Sequence, residues 1–234
     1  RESKRNRRKG EIQMKILIVG GGGREHAIAV AVAESPKADK IYCAPGNAGI
    51  AEVAECVPIG VDEFDKIASF AKEKEVDLVI VGPDDPLAAG LVDVLEEAGL
   101  RVFGPRKNAA ILEGSKVFSK NLMKKYGIPT AAYETFADAG EAAAYVRANR
   151  KYPLVVKADG LALGKGVLIS RSYEEAEDAV RTMMEDRAFG DSGSRVVIEE
   201  FLTGPEVSVL AFTDGTAIAP MVSSMDHKRA GDGD

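Results

Sequence analysis

Four short apolar runs with helix-like stretches between them constrain the first hundred residues more tightly than any other feature. The runs are Lys15-Ile16-Leu17-Ile18-Val19, Lys40–Cys43, Asp77-Leu78-Val79-Ile80-Val81 and Leu100-Arg101-Val102-Phe103. Each has the length of a buried strand. Helical patterns fall at 27–34, at 62–74 with Phe64, Ile67, Ala68 and Ala71 at helical spacing, and from Pro86 to Ala98. Pro86 suits a first helical position. Strand and helix in alternation predict a doubly wound α/β domain on a parallel sheet.

In such sheets ligands sit beyond the C-terminal ends of the strands. Three glycine-bearing loops fall there: Gly20-Gly21-Gly22-Gly23-Arg24-Glu25-His26, Ala44-Pro45-Gly46-Asn47-Ala48-Gly49 and Gly82-Pro83-Asp84-Asp85-Pro86. A helix N-terminus behind the first loop would offer free N–H groups to an anion. The same glycines also suit close helix–strand packing alone. The dinucleotide spacing GxGxxG fits no register of this loop, and the second strand ends without the acidic residue that holds a ribose hydroxyl. The rim therefore reads as a small polar substrate or anion site rather than an NAD site.

Beyond Gly104-Pro105 the pattern changes. Two short helices are expected at 108–113 and 115–126, and Gly127-Ile128-Pro129-Thr130 closes the second and marks a boundary. Lys116, Lys120 and Lys124 share one helical face. Lys120 and Lys124 read as a solvated basic surface, while Lys116, just after Gly-Ser at the helix start, could reach a phosphate. An alanine-rich helix follows at 138–150, then strand, glycine loop and strand across 154–169, with Gly160, Gly164 and Gly166 in the loop and Lys157 and Lys165 at its ends. The loop is too long for a tight turn and reads as a flap whose backbone N–H groups could cradle a phosphate chain. Its spacing is not that of a Walker A loop. Taken alone, an exposed hairpin with solubilising lysines fits equally well. A helix at 173–186, a strand at 195–200 ending in Glu199 and Glu200, Glu206 after a turn, a hairpin over 207–222 and a polar tail complete the chain.

Composition narrows the function classes. No apolar run approaches the roughly 20 residues of a membrane helix. Cys43 and Cys56 form no CxxC, and His26 and His227 are the only histidines, so no zinc site is expected. Two cysteines without a secretory pattern point to a reducing cytoplasm. Net charge is −6, yet residues 1–13 carry six basic and two acidic side chains, leaving −10 on the remainder. An acidic body argues against nucleic acid as the main partner. The basic leader at 1–13 has no core-forming pattern and is expected to be a disordered extension before Met14.

Together these residues carry a family resemblance. GGGGREHA at 20–27, PGNAG at 45–49, GPDDPL at 82–87, LEGSKVFSK at 112–120 and YGIPT at 126–130 are followed by VVKADGLALGKGV at 155–167, IEEFLTGPEVS at 198–208 and SMDHKRAGDGD at 224–234. In that order they resemble glycinamide ribonucleotide synthetase (phosphoribosylamine–glycine ligase), an ATP-grasp family of purine biosynthesis. The resemblance implies an α/β fold class: a Rossmann-like parallel-sheet substrate domain at 14–115, then an incomplete α+β ATP-grasp domain at 116–234 whose flap occupies about 131–202.

It also implies roles. ATP would be held by Lys116 and Lys157 on its phosphates and by Gly160, Leu161, Gly164, Lys165 and Gly166 of the flap. The backbone of the hinge Glu199, Glu200, Phe201 and Leu202 would hold adenine, through the Glu199 carbonyl and the Leu202 N–H, and Glu206 would hold the ribose hydroxyls. Phosphoribosylamine would be held by Gly22, Gly23, Arg24 and Glu25, with Asn47, Gly49, Asp85 and Pro86 on the same rim. Asp226, Lys228 and Arg229 would face the reacting centre. The implied reaction activates the glycine carboxylate as an acyl phosphate, which the phosphoribosylamine amine attacks to give glycinamide ribonucleotide, ADP and phosphate. Protein groups would serve by alignment and charge neutralisation.

The family pattern continues past Asp234 with the ligands for Mg²⁺ or Mn²⁺ and a further domain. The resemblance therefore implies a partial chain that has no metal site, is inactive as a ligase by itself and associates through exposed apolar surface, whereas full-length members are expected to be monomers. The expected partners are small molecules, with neither nucleic acid nor membrane among them. The alternatives are another ATP-grasp carboxylate–amine ligase or carboxylase, and a non-catalytic nucleotide-binding module.

Overall fold

A computed structural model describes residues 13–149, 151–162, 166–225 and 231. The basic leader up to residue 12, Gly164 and Lys165 of the flap, and Asp226, Lys228 and Arg229 lie outside the described residues.

The first unit is a parallel sheet in the order β3-β2-β1-β4-β5, formed by β1 (Met14–Gly20), β2 (Ala38–Pro45), β3 (Glu55–Cys56), β4 (Leu78–Val81) and β5 (Val102–Phe103). Both faces are covered. Leu17 and Val19 pack with α2 (Phe64–Glu73) and α4 (Leu91–Glu97) in one core, while Ile16 and Ile18 join Ala29 of α1 (Gly23–Ala33) in another. Burial on both sides explains why these strands are continuous apolar runs rather than alternating ones. Strand β3 is two residues long and adds a fifth member to the expected four.

The single helix expected to Ala98 is two. Gly90, at φ +102°, ends α3 (Asp84–Ala89) with its N–H on the carbonyls of Pro86 and Leu87, and α4 starts from it. A left-handed residue cannot continue an α-helix, and glycine occupies that conformation without a Cβ clash. Pro86 sits third in α3 rather than first, where its missing N–H still costs no intrahelical bond.

Helices α5 (Lys107–Gly114) and α6 (Lys116–Tyr126) lead into the second unit. There an antiparallel sheet runs in the order β6-β9-β7-β8, from β6 (Tyr133–Phe136), β7 (Leu154–Ala158), β8 (Val167–Ser170) and β9 (Val196–Glu200). Helices α7 (Ala139–Ala148) and α8 (Tyr173–Val180) cover one face, where Val156, Ile198 and Val196 meet Ala142, Val146, Ala176 and Val180. The stretch read as helix to residue 186 widens into a π turn over Arg181–Glu185. Strands β7 and β8 form the expected hairpin across the glycine loop, with Leu154 opposite Ser170 and Lys157 opposite Val167. A separate two-stranded ribbon, β10 (Ala211–Thr213) and β11 (Ile218–Pro220), keeps its side chains exposed.

Candidate functional site

The three rim loops meet as the parallel sheet predicts. Gly46 N–H donates to the Gly20 carbonyl at 3.0 Å, and Asn47 Nδ2 donates to the Gly21 carbonyl at 2.9 Å. Asn47 Oδ1 in turn accepts the Ile50 N–H. Glycine at 21 is required by this approach, since a Cβ there would lie 2.7 Å from the Gly46 carbonyl oxygen. Arg24 crosses to the third loop, donating to the Gly82 carbonyl at 2.7 Å and pairing with Asp84 at 3.3 Å.

Glu25 is buried, and its Oε2 accepts the Gly22 N–H at 2.7 Å. An acidic side chain three residues into a helix that reaches back over its start is half of a capping box. The carboxylate so placed serves α1. With the Gly22 N–H taken by Glu25, open space at the start of α1 lies at Gly23, which is exposed and where a Cβ would meet nothing within 4 Å.

A cleft of about 610 Å³ runs between the two units. It is bordered by Gly22 to Glu25 and Asp84 and Asp85 on one side, and by Lys116, Leu161 and Gly166 on the other. Asn47, Gly49 and Pro86 do not border it. Asn47 braces the loops, Gly49 packs against His26, and Pro86 is buried in α3.

On the far wall Asp159 organises the start of α6. Its buried Oδ1 accepts from Ser115 Oγ and the Val117 N–H, both at 2.8 Å, and its Oδ2 meets Arg195 at 2.6 Å. Ser115 Oγ caps the helix by accepting the Phe118 N–H. An anion at a helix N-terminus is favoured by the free N–H groups and the helix dipole. Lys116 then projects into the cleft, and its Nζ donates to the Gly160 carbonyl at 3.0 Å. Burial pushes the Lys116 ammonium below its ordinary pKa, against the opposing pull of Asp159 and Glu113. Asp159 was not among the candidates; its position after a strand gives no local sign that it caps a helix 42 residues earlier.

A second cavity of about 270 Å³ adjoins the first through Glu113 and Lys116 and is bordered also by Lys120, Lys157 and Val197. Beneath it Glu199, only 4% exposed, meets two lysines: Lys157 on Oε1 and Lys120 on Oε2. The Lys120 contact is a charge pairing without regular hydrogen-bond alignment. Lys120 is therefore not part of a solvated basic face; β9 packs under α6 and buries it, while Lys124 stays exposed as expected.

The remaining hinge candidates are less gathered. Glu199 lies in the central strand, opposite Tyr133 and Val155. Glu200 Oε1 accepts the Ala132 N–H at 3.0 Å. Phe201, Leu202 and Glu206 are exposed and border neither cavity. Among the described residues no group of three or more His, Cys, Asp or Glu side chains converges as a metal site, and no helix is long and apolar enough to cross a membrane.

Comparison with known proteins shows the family. The family model described as phosphoribosylglycinamide synthetase, N domain, matches residues 14–113, and that described as the ATP-grasp (A) domain of the same synthetase matches 114–234. The phosphoribosylamine–glycine ligase of Haemophilus influenzae is 52% identical over 223 residues, covering 94% of this chain and 52% of that protein. The Brucella melitensis protein of the same name is 53% identical over 221 residues, with 94% and 51% covered. The crystal structure of the Thermotoga maritima phosphoribosylamine–glycine ligase superposes with a TM-score of 0.75 at 34% identity, over 92% of this chain and 51% of that one. An N5-carboxyaminoimidazole synthetase from Staphylococcus aureus complexed with ADP shares the fold, with a TM-score of 0.70 at 17% identity over 94% of this chain and 56% of that one. The chain thus spans about half the length of the curated relatives it matches. With consecutive family models spanning residues 14–234, the chain belongs to the phosphoribosylglycinamide synthetase family.

Proposed function

We propose that the chain supplies the substrate domain and the first part of the nucleotide site of an ATP-dependent ligase joining glycine to 5-phosphoribosylamine, a step of purine biosynthesis in the cytoplasm. The observation that carries the reading is the shared cleft: Gly22 to Glu25 and Asp85 face Lys116, Leu161 and Gly166 across one space. A phosphorylated amine and a nucleotide triphosphate can meet only where both of their binding surfaces open into one cavity.

In this reading the Gly23 N–H at the exposed start of α1 and the Arg24 guanidinium take the phosphate of phosphoribosylamine, while the Gly22 N–H stays on Glu25. Glu25 and Asn47 act behind them, holding the helix start and the loop in place. Lys116 and Lys157 take ATP phosphates, and the loop from Gly160 to Gly166 closes over them. The backbone of the stretch from Glu199 to Leu202, through the Glu199 carbonyl and the Leu202 N–H rather than the Glu199 side chain, holds adenine, and Glu206 holds the ribose. Asp226, Lys228 and Arg229 face the reacting centre. The protein's contribution is alignment and charge neutralisation of the transferring phosphoryl group. The described donors do not form a site for Mg²⁺ or Mn²⁺.

Glycine-dependent ADP release by the full-length protein, with phosphoribosylamine supplied, tests this function. An Arg24→Ala variant is expected to raise the KM for phosphoribosylamine at least about tenfold while leaving that for ATP unchanged. ADP release that ignores glycine would overturn the assignment.

A further inference from the structure

We infer that Lys120 is a positioning residue for the nucleotide: it holds Glu199 as a standing counterion and so leaves Lys157 free to exchange that carboxylate for a phosphate. The inference rests on reading the cavity beside Lys116 and Lys157 as the nucleotide site.

One buried carboxylate lies between two ammonium groups. A single cation is enough to compensate Glu199, so the second lysine is surplus charge at that point. The two lysines are not equivalent. The Lys120 side chain is 11% exposed, its Nζ also donates to Thr130 Oγ1 at 2.7 Å, and it lies 5.4 Å from the centre of the Tyr133 ring. Those contacts fix it against the strand that borders β9. The Lys157 side chain is 29% exposed and stands at the cavity that Lys116 also borders. Lys157 is therefore the partner that can depart. When it does, Glu199 and Lys120 remain as a neutral pair, and Lys116 and Lys157 together present two positive charges to a phosphate chain.

Without Lys120 the balance inverts. Glu199 would then depend on Lys157 alone, and each nucleotide bound through Lys157 would strand a buried carboxylate. Stranding a buried charge costs more than a partly exposed phosphate contact returns. The nucleotide would compete with Glu199 for Lys157.

The test combines ATP titration with acylation of Lys157 by an amine-reactive reagent, followed by mass spectrometry, on the wild-type chain, Lys120→Met, and the double variant Lys120→Met/Glu199→Gln. Lys120→Met is expected to weaken ATP binding and to slow Lys157 acylation, each at least about tenfold. The double variant, which removes the carboxylate's demand, is expected to recover both to within about threefold of wild type. Loss of ATP affinity that persists in the double variant would mean that Lys120 touches the nucleotide itself and would overturn the inference. Unchanged Lys157 acylation in Lys120→Met would overturn the counterion role alone. Failure of the wild-type chain to bind ATP would instead overturn the nucleotide reading on which it rests.

Discussion

Ser115 Oγ donates a hydrogen bond to Asp159 Oδ1 at 2.8 Å, across 44 residues of chain. That contact fastens the start of α6, and with it Lys116, to the start of the glycine loop. Asp159 also accepts the Val117 N–H and pairs with Arg195, so one buried carboxylate fixes the phosphate-facing lysine and the loop expected to cover it.

Asp159→Ala leaves Ser115 Oγ without that acceptor and the Val117 N–H unpaired inside the protein. We expect a loss of about 2–4 kcal/mol in unfolding free energy. Urea denaturation followed by circular dichroism measures it. A loss below about 0.5 kcal/mol would mean that water replaces the carboxylate at little cost.

Glu25 belongs to the helix before it belongs to any ligand. Glu25→Ala should lower stability by about 1–2 kcal/mol with no substrate present. Gly82→Ala should also destabilise, because the added Cβ would fall 2.2 Å from Glu25 Oε1. Thermal denaturation of the two variants without ligand checks both expectations. Unchanged midpoints would return Glu25 to the role of a free substrate contact.

Burial pushes the Cys43 thiol from 9.0 up to about 12. The unfolded chain therefore releases this proton first as pH rises. The group's contribution to stability is complete below pH 9 and is lost between pH 9 and 12, with a slope of at most about 1.4 kcal/mol per pH unit. Denaturation of wild type and Cys43→Ala across that range isolates it, and the difference between the two should shrink as pH rises. Alkylation at pH 8 should modify the partly exposed Cys56 well before Cys43.

The β10–β11 ribbon and its flanks expose a run of large apolar side chains, with Ile218 at 72% and Val222 at 95% exposure and Val209, Leu210 and Phe212 beside them. A patch of this kind on a separately tested chain drives association. Sedimentation should show reversible self-association, and an Ile218→Lys/Val222→Lys variant should reduce it. A monomer at all concentrations in the unmodified chain would contradict this.

The parallel sheet was legible because a strand buried on both faces writes itself as an unbroken apolar run, as at Ile16 to Val19. Strand β3 was not, because Glu55-Cys56 is two residues whose pairing is set by β2 beside it. The split at Gly90 was masked by an apolar pattern that continues on both sides of it. The rim loops could be placed from topology alone, but the local use of Glu25 and Asn47 depends on which backbone groups come within 3 Å. Lys120 was misread for the same reason. Its i, i+4 spacing with Lys116 and Lys124 describes one face of α6, and only the distant β9 decides that part of this face is buried. Asp159 could not be read from its neighbours, since its partners lie in a helix that precedes it by more than forty residues.

Calorimetric titration of the chain with ATP tests the central claim, that Lys116 and the glycine loop form one wall of a nucleotide site. Saturable binding, weakened at least about tenfold in Lys116→Met, is the predicted result. No saturable binding, or equal affinity in wild type and Lys116→Met, would contradict it.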